Sequence, residues 1–463
     1  MSDIFRAYDV RGIYPDELNE EIAGKIAGAT VKFLNAHSTG SGQAKKLVVG
    51  EDARVSSPAL RKAVLDGATK AGCDVYYIGQ CTTPLFYFSV NKLSADGGIM
   101  VTASHNPPEY NGLKIVGEKS KPVSSETGLK EIEKLSGLRK SSGLAKSLIK
   151  KPEINDNKKG NIKETSLKKE YIDFLLNEFK NISDKAKNLK IVIDASNGMT
   201  PLVLNDLLPL TELNISSLYF DIDGTFPNHL SDTSREENLK DLKSKVLSEK
   251  ADIGVAFDGD GDRMAVVDEK GGVVRADITA ALIYGRFYKN ERTAYDSRFS
   301  RAVKNIFGAN GIASKTGHSF VKTTMRQNDC SFGGELSGHF FFKEMNYADS
   351  AILAMLRLVE ILAKENKPIS QLVAPFIKYA NSGEINIKFE GDNEGLINTL
   401  KEKYSDGKIS ELDGITVDYP DWWFNARFSN TESLVRVVVE ADTQELMEEK
   451  KDELVGIIIK AAS

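Results

Sequence analysis

Apolar residues recur along the chain in two spacings, and the alternation of these spacings predicts the secondary structure. Residues 20–34 and 58–71 repeat apolar positions at helical spacing. Between and after them, short unbroken apolar runs at 47–50 and 74–79 are typical of buried strands. Strands that alternate with helices in this way indicate a mostly parallel sheet covered by helices.

The same pattern returns in the middle of the chain. KIVIDAS (190–196) and ADIGVAF (251–257) are apolar runs that lie near helical segments. They suggest that similar α/β units are repeated, although no residue-level repeat accompanies them. After Asn381, alternating strands and a final helix predict a small α+β domain.

The chain is too long for one hydrophobic core. At 463 residues we expect about three or four domains. Lys, Ser, Gly and Asn replace apolar runs between about 136 and 164, which is typical of a solvated connection. Further boundaries are predicted at a Gly-containing turn at 269–272 and near Asn381. The predicted domains are 1–163, 164–272, 273–380 and 381–463.

Composition excludes several classes of protein. Apolar residues make up 41% and charged residues 27%, so a disordered, collagenous or membrane protein is not indicated. The 61 basic and 66 acidic residues give a net charge of -5, which provides no basic field for nucleic acid. The N-terminus lacks the apolar run of a secretory signal. Cys73, Cys81 and Cys330 form no metal-type or redox-type pair, so we expect a cytoplasmic protein without nucleic-acid or membrane partners.

A serine-containing loop is the first candidate for chemistry. In GGIMVTASHNPPEYNGLK (97–114), an apolar strand at 99–101 leads to Ser104 and then to two prolines that stiffen the loop. Ligands of open α/β sheets bind at such strand ends. Ser104 could act as a nucleophile with a base and a charge-stabilising group nearby, and His105 and Lys114 are close in sequence. Taken alone, such a serine is more often structural.

An acidic loop is the second candidate. DGDGDR follows one apolar strand and leads into another, so Asp258, Asp260 and Asp262 can converge on one hard cation such as magnesium or calcium. An EF-hand is the competing interpretation, with Glu269 at the twelfth position. Arg263 stands where an EF-hand needs glycine, and the flanks are β-like. An arginine beside metal-binding carboxylates favours a phosphate ligand, which guanidinium binds through two bonds.

The segment GGELSGHF is the third candidate. Its polar residues Glu335, Ser337 and His339 alternate, which predicts a short extended segment whose side chains point the same way. Such side chains can hydrogen-bond a polyhydroxylated ligand. A polar loop without function is the alternative.

KTGHSFVK, which begins at Lys315 and contains His318, is a Gly-containing loop. The fourth candidate is ARFSNTES (426–433). A turn with guanidinium, hydroxyl and amide groups makes a phosphate cradle, and it is also how an ordinary capped turn looks. The groups in question are Arg427, Ser429, Asn430 and Thr431.

Together these motifs, in this order, resemble those of the α-D-phosphohexomutase superfamily, and more closely its phosphomannomutase/phosphoglucomutase branch. YDVRG (8–12), VGEDAR (49–54), TPLFYF (83–88) and DGTFPN (223–228) support the resemblance, which spans the chain. It implies four domains around a central cleft: three similar mixed α/β sheet domains and a smaller C-terminal α+β domain.

The resemblance also implies roles for individual residues. Ser104 would be the phosphoserine and would bind Mg2+ together with Asp258, Asp260 and Asp262. The groups that surround the reacting phosphate or act on protons would be Arg11, His105, Lys114, Arg263 and His339. The substrate would be bound by Lys315, His318, Glu335, Ser337, His339, Arg427, Ser429, Asn430, Thr431 and Arg436.

The implied activity is a mutase that interconverts hexose 1-phosphate and hexose 6-phosphate, of mannose and also of glucose. It would proceed through a hexose 1,6-bisphosphate that reorients, in a monomer or weak dimer. Lys114 would serve as general base if neighbouring cations lower its pKa. A phosphoglucosamine mutase and a non-catalytic sugar-phosphate-binding protein are the alternatives. The chain departs from the family pattern at Glu51, Arg298, Phe428 and Ser433.

Overall fold

The structure is a computed structural model of the chain. It describes residues 4–37, 46–138, 159–179, 184–429 and 433–462. Among these residues, no helix combines the length and the apolar character needed to cross a bilayer.

The chain divides into two compact units, each of which combines two separate stretches of sequence. The larger unit comprises Met1–Val274 and Ser337–Ile369. The smaller unit comprises Arg275–Leu336 and Ser370–Ser463.

The first sheet lies in the larger unit and is mixed. Its strands are β1 (Val10–Ile13), β2 (Lys46–Glu51), β3 (Asp74–Gln80), β4 (Gly97–Val101), β5 (Tyr110–Gly117) and β6 (Ile162–Glu164). They are ordered β1-β5-β4-β2-β3-β6, and β5 runs antiparallel to both of its neighbours. The accompanying helices are α1 (Glu20–His37), α2 (Ser57–Lys70), α3 (Thr83–Lys92) and α4 (Leu129–Ser136). The predicted helices and strands of this region are therefore confirmed.

The predicted solvated connection at 136–164 is corrected at its C-terminal end. Ile162–Glu164 forms the edge strand β6, which pairs in parallel with Val75–Tyr77 of β3. The unpaired backbone groups of β3 offer this strand a ladder, and its exposed side chains suit an edge position. Residues 139–158 of the predicted connection lie outside the described residues.

The second sheet also lies in the larger unit. Its strands are β7 (Lys190–Asp194), β8 (Asn214–Leu218), β9 (Ile253–Phe257), β10 (Met264–Asp268) and β11 (Val273–Val274), ordered β11-β10-β9-β7-β8. The helices are α5 (Lys168–Glu178), α6 (Pro201–Leu207) and α7 (Lys240–Glu249). Every residue of β9 is buried, as expected for a central strand covered on both faces.

The third sheet contains parallel and antiparallel pairs. Its strands are β12 (Thr293–Asp296), β13 (Gly311–Ser314), β14 (Phe332–Gly334), β15 (Phe340–Phe342) and β16 (Ala348–Asp349). β12 pairs in parallel with β13 and β14, whereas β15 and β16 pair antiparallel. The helices of this region are α8 (Ala276–Ile283), α9 (Arg301–Phe307), α10 (His318–Asn328), α11 (Ala351–Glu365) and α12 (Ile369–Val373).

The fourth sheet is antiparallel and belongs to the smaller unit. Its strands are β17 (Ala380–Asn381), β18 (Ile385–Lys388), β19 (Lys408–Ser410), β20 (Ile415–Asp418), β21 (Trp422–Phe428) and β22 (Leu434–Ala441), with α13 (Asn393–Lys403) and α14 (Gln444–Ala462). They are ordered β17-β22-β21-β20-β19, and β18 also pairs with β22. Three mixed α/β sheets and a separate antiparallel sheet confirm the predicted fold class.

Helices α1 and α2 approach each other closely at glycine. A Cβ atom at Gly67 would lie 2.2 Å from the backbone oxygen of Gly24. We expect Gly67→Ala to destabilise the protein by about 1–3 kcal/mol, because backbone must move to admit the methyl group. Gly456→Ala is the matched control, since Gly456 has open space around it within α14. Because alanine has a higher helix propensity than glycine, this substitution should stabilise the protein by up to about 1 kcal/mol. Thermal unfolding of both variants checks the opposite signs, and a Gly67→Ala midpoint at or above that of the wild type would contradict the packing argument.

Candidate active site

The loop after β4 holds Ser104 in a backbone conformation that is uncommon for a residue with a side chain. Ser104 has a φ of 52° and is 1% exposed. Its backbone N–H donates to Thr102 Oγ1 at 2.9 Å. Left-handed non-glycine residues persist only where their surroundings hold them, and they cluster at functional sites.

The acidic loop joins β9 to β10 and is closed by its own first residue. Asp258 Oδ1 accepts hydrogen bonds from the backbone N–H groups of Gly261 at 3.0 Å, and of Asp262 and Arg263 at 3.1 Å each. Asp258, Asp260 and Asp262 are fully buried. One oxygen from each carboxylate lies within 4.8 Å of the others, so the three can share a cation.

The serine loop and the acidic loop meet within the larger unit. Ser104 Oγ donates to Asp258 Oδ2 at 2.8 Å and lies 3.2 Å from His105 Nδ1. Lys114 Nζ donates to Asp260 Oδ2 at 2.6 Å and to Asp262 Oδ2 at 2.5 Å. The predicted nucleophile, a predicted base and the predicted metal ligands therefore form one cluster.

The residues of this cluster suit a hard divalent cation. Three carboxylates and one hydroxyl provide only oxygen donors, which magnesium and calcium prefer. Asp260 Oδ1 is buried and accepts no hydrogen bond from any residue that the structure describes. A buried carboxylate oxygen without a partner is costly unless a cation or another donor satisfies it. The flanking elements β9 and β10 are strands, whereas an EF-hand loop is flanked by helices.

The surroundings shift the pKa values of two of the carboxylates in opposite directions. Burial, together with Asp262 and Asp260, raises the pKa of Asp258 well above its ordinary value. Burial alone would raise the pKa of Asp262, but Lys114 and His339 hold it well below its ordinary value. Burial lowers the pKa of Lys114, and the carboxylates of Asp260 and Asp262 outweigh this effect and raise it. The neighbouring cations required for Lys114 to act as a base are thus replaced by carboxylates in this arrangement.

Arg11 and His105 are two further predicted residues at the serine loop. Arg11, on β1, donates to Asn106 Oδ1 of the serine loop and to Asp9 Oδ2 at 2.5 Å. Desolvation, and then the charges of Arg263 and Arg11, hold the pKa of His105 well below its ordinary value. His105 is therefore neutral at physiological pH and can accept a hydrogen bond.

His339 and Arg263 contact each other beside the carboxylate of Asp262. Arg263 Nε donates to His339 Nε2 at 3.3 Å. His339 Nε2 also lies 3.3 Å from Asp262 Oδ1. Ser337 Oγ lies 2.9 Å from His339 Nδ1. These predicted residues thus join the cluster through direct contacts.

The predicted extended segment Glu335–His339 is wrong. β14 ends at Gly334, the chain turns at Leu336 and Ser337, and Gly338 has a φ of 89°. Glu335 belongs to the smaller unit, whereas Ser337 and His339 belong to the larger. Glycines on both sides of alternating polar residues permit a turn as readily as a strand.

Thr83, the first residue of α3, contacts the acidic loop and was not among the predicted site residues. Its Oγ1 donates to Asp260 Oδ2 at 2.6 Å, and its N–H donates to the backbone oxygen of Asp260 at 2.9 Å. Thr83 begins TPLFYF, which sequence analysis used only as a supporting segment. A hydroxyl at the start of a helix is an ordinary capping signal, so nothing local separated this threonine from a structural one.

Predicted sugar-binding residues come together in the smaller unit. Glu335 is 1% exposed, and its Oε1 accepts a hydrogen bond from the backbone N–H of Gly317 at 2.5 Å. Gly317 precedes His318, which begins α10. Lys315 is exposed, with its Nζ 5.5 Å from the Phe320 ring centre. Glu335 therefore lies at the KTGH segment.

An arginine cluster lies on the fourth sheet. Arg427 on β21 and Arg436 on β22 are directly paired across the ladder. Glu384 Oε2 lies 3.4 Å from one Arg427 terminal nitrogen, and Glu384 Oε1 lies 3.2 Å from one of Arg436. Glu384 also accepts a hydrogen bond from Arg298, which forms a bidentate pair with Asp296.

Glu384 is anionic in this surrounding. Burial by itself raises its pKa, but Arg298, Arg427 and Arg436 hold the pKa below its ordinary value. The segment that contains Glu384 was predicted only as a domain boundary near Asn381. The N–H of Ser429 donates to the Leu434 backbone oxygen at 2.8 Å. The predicted residues Asn430 and Thr431 lie outside the described residues.

Four domain models of one family match the chain. They are those for phosphoglucomutase/phosphomannomutase alpha/beta/alpha domains I, II and III and for the C-terminal domain, and they match residues 2–139, 169–272, 276–379 and 384–457. With the mixed α/β sheets, the antiparallel sheet and the buried acidic cluster already described, the chain belongs to the phosphoglucomutase/phosphomannomutase family.

Relatives along the whole length agree with this assignment. The chain is 39% identical over 468 residues to a phosphomannomutase of Methanocaldococcus jannaschii, covering 99% of this chain and 98% of that one. It is 35% identical over 464 residues to a phosphomannomutase/phosphoglucomutase of Pseudomonas aeruginosa, covering 97% and 94%. A crystal structure of a family protein from Burkholderia thailandensis has a TM-score of 0.84 at 30% identity, covering 99% and 97%. The protein is thus an enzyme of the mutase class.

Proposed function

We propose that this enzyme interconverts hexose 1-phosphate and hexose 6-phosphate, of mannose and of glucose, with Ser104 as a phosphoryl carrier. The observation that carries the proposal is the 2.8 Å contact between Ser104 Oγ and Asp258 Oδ2, which sets a buried hydroxyl against an all-oxygen cation site. The names of the relatives, which include phosphomannomutase and phosphomannomutase/phosphoglucomutase, support the two sugars.

The proposed cycle has two phosphoryl transfers. In the first, the bond between phosphorus and Ser104 Oγ breaks, a bond to the free sugar hydroxyl forms, the hydroxyl proton leaves to a base, and Ser104 Oγ takes up a proton. The product is a hexose 1,6-bisphosphate, which turns end for end. In the second, Ser104 Oγ loses its proton and bonds to the other phosphorus, the bond between that phosphorus and the sugar oxygen breaks, and the sugar oxygen takes up a proton as the hexose phosphate leaves. Ser104 therefore starts and ends each cycle phosphorylated.

Charge neutralisation is the main demand of this chemistry. Bound Mg2+, held by Ser104, Asp258, Asp260 and Asp262, would supply it to the transferring group. Arg11, Arg263 and the Lys114 ammonium would add positive charge from the protein. His105 and His339 are the candidates for proton transfer, since both lie within 3.3 Å of a ligand atom of the cation site.

The remaining predicted residues would bind the substrate away from the reacting phosphate. The second phosphate would be held by Arg427, Ser429, Asn430, Thr431 and Arg436. Sugar hydroxyls would be bound by Glu335 and Ser337, and Lys315 and His318 would contribute nearby. Mannose and glucose differ only at carbon 2, so a site that recognises hydroxyls 3 and 4 accepts both.

The wider organisation belongs to the same proposal. The domain boundaries would be those predicted from sequence: 1–163, 164–272, 273–380 and 381–463. The enzyme would act as a monomer or weak dimer in the cytoplasm, with a hexose 1,6-bisphosphate as activator. Its three cysteines are buried and free, which suits a reducing compartment.

Substrate preference gives the experiment for this proposal. We expect purified enzyme, with Mg2+ and glucose 1,6-bisphosphate, to convert mannose 1-phosphate and glucose 1-phosphate with kcat/KM values within about tenfold of each other. Glucosamine 1-phosphate should react much more slowly. A coupled assay of 6-phosphate formation measures all three. Conversion of the amino sugar alone would overturn the substrate assignment, and no conversion of any sugar would overturn the proposed function.

A further inference from the structure

The last residue of VGEDAR, Arg54, binds the backbone of the serine loop. It follows β2 and is 1% exposed. One terminal nitrogen donates to the carbonyl oxygens of Pro107 at 2.6 Å and Tyr110 at 3.0 Å. The other donates to the carbonyl oxygens of Ser104 at 2.7 Å and Asn106 at 2.6 Å. One guanidinium thus binds four carbonyl groups between residues 104 and 110.

The serine loop requires hydrogen-bond donors for its carbonyl groups and support for its backbone conformation. The carbonyl groups of Ser104 and Asn106 lie in irregular backbone before β5 begins, where groups taken from water need partners, and Arg54 donates to both. A guanidinium presents its donors in a rigid planar fork, whereas an ammonium is a compact point charge on a flexible stem. The left-handed φ of Ser104, 52°, also needs neighbours that hold it in place. The Arg54 contact to the Ser104 carbonyl acts at that residue.

The guanidinium of Arg54 is itself fixed on two sides. Its Nε lies 3.2 Å from Asp52 Oδ2, and Asp52 Oδ1 in turn accepts hydrogen bonds from the N–H of Arg54 and from Ser57 Oγ. The ring of Phe226, from the DGTFPN segment, lies 5.1 Å from the guanidinium carbon. A cation over an aromatic face is attracted to it, more strongly when water is excluded.

The carbonyl group of Ser104, which accepts a hydrogen bond from Arg54, also lies against the acidic loop. A Cβ atom at Gly259 would lie 2.6 Å from the carbonyl oxygen of Ser104 and 3.4 Å from Phe226 Cζ. Gly259 stands between Asp258 and Asp260, so the serine loop packs directly on the backbone that carries the carboxylates. A shift of the Ser104 carbonyl would therefore change the position of its hydroxyl relative to Asp258.

We propose that Arg54 is a positioning residue for phosphoryl transfer: its guanidinium holds the serine loop in the geometry that aims Ser104 Oγ at the cation site. Arg54 donates to the carbonyl group of Ser104, and so acts on that residue through its backbone. The inference rests on the proposed function of Ser104. The inference also links VGEDAR with DGTFPN, because VGEDAR supplies the guanidinium of Arg54 and DGTFPN supplies the Phe226 ring that packs on it.

Arg54→Lys tests the inference, with Arg357→Lys as its matched control. Arg357 is also a largely buried guanidinium of the larger unit, and it binds the backbone oxygen of Glu178 at 2.9 Å and the side chains of Glu178 and Glu344. We expect Arg54→Lys to lower kcat by about 100-fold, the effect of a displacement of about 1 Å at a reacting group. KM for the hexose 1-phosphate should stay within about threefold, since no sugar-binding group is moved. Arg357→Lys should keep both constants near those of the wild type.

A second measurement separates positioning from loss of stability. After incubation with glucose 1,6-bisphosphate and Mg2+, the rate at which Ser104 becomes phosphorylated should fall in Arg54→Lys in parallel with kcat. Thermal midpoints should fall by similar amounts in the two lysine variants. If kcat in folded Arg54→Lys stays within about threefold of that in Arg357→Lys, the inference is overturned.

Two further outcomes are decisive. If Arg54→Lys does not accumulate as folded protein, Asp52→Asn serves instead, because it weakens the orientation of the guanidinium while keeping the side-chain shape. It should lower kcat without raising KM, and an unchanged kcat would overturn the inference. A wild type that never phosphorylates Ser104 would instead overturn the proposed function, so the two failures are distinguishable.

Discussion

Ser104→Ala abolishes turnover, with an expected loss in kcat of at least about 10⁴-fold, as found when a covalent nucleophile is removed. The carrier position is that of Ser104 Oγ, which contacts both Asp258 Oδ2 and His105 Nδ1, whereas the nearby Thr83 hydroxyl donates to Asp260 Oδ2. Binding of hexose phosphate should persist within a few-fold, since the substituted atom is not among the proposed sugar-binding groups. Steady-state kinetics and calorimetric titration with glucose 1-phosphate measure the two quantities.

Ser89→Ala is the control for this substitution. Ser89 is fully buried, and its Oγ donates to the backbone oxygen of Leu85 at 2.8 Å within α3. Loss of that local hydrogen bond should leave kcat near the wild-type value. An Ser104→Ala enzyme that keeps more than about a tenth of wild-type kcat would contradict the assignment of Ser104 as the carrier.

Asp260→Asn should have the second largest effect. Asp260 Oδ1 is a buried oxygen of the cluster that accepts no hydrogen bond from any described residue, and a bound cation would satisfy it. We expect Mg2+ affinity to fall by more than about tenfold, because even the outer partners of metal ligands are worth that much. We expect kcat to fall by at least about 10²–10³-fold, the range for loss of one charge-stabilising group. Calorimetric titration with Mg2+ reads the first effect without any turnover.

Asp268→Asn is the matched control, because Asp268 lies on the same β10 strand. Its Oδ1 accepts hydrogen bonds from the backbone N–H groups of Lys270 at 3.0 Å and Gly272 at 2.7 Å, in a turn outside the carboxylate cluster. Mg2+ affinity should be unchanged in this variant. Equal Mg2+ affinity in Asp260→Asn and the wild type would show that Asp260 is not a ligand.

The sequence predicts the chemistry-bearing loops because they follow apolar runs that can only be buried strands. Val101 and Phe257 end such strands, and the residues after them must lie at sheet edges. The order of the motifs then relates Ser104 to the carboxylates, which are more than 150 residues away in sequence. What propensity and patterning lack is the distance between the two loops, and the structure supplies it.

Residues that act through the backbone are harder to predict. Arg54 binds carbonyl groups, and any residue has a carbonyl group, so no partner residue type marks this arginine in the sequence. Thr83 resembles an ordinary helix start, and Glu384 meets Arg427 and Arg436 only because β18 pairs with β22. The prediction of an extended segment after Gly334 fails for a different reason. Polar residues at every second position, with glycines among them, fit both a strand and a turn.

The passage of one phosphoryl group from a labelled donor to the sugar tests whether Ser104 is the carrier. The enzyme is incubated with Mg2+ and glucose 1,6-bisphosphate that carries radioactive phosphate, separated from free ligand, and then mixed with unlabelled mannose 1-phosphate. We expect label on the peptide that contains Ser104, its absence from Ser104→Ala, and its passage into mannose bisphosphate and mannose 6-phosphate. Label on another residue, or label on Ser104 that does not pass to the sugar, would show that Ser104 is not the phosphoryl carrier.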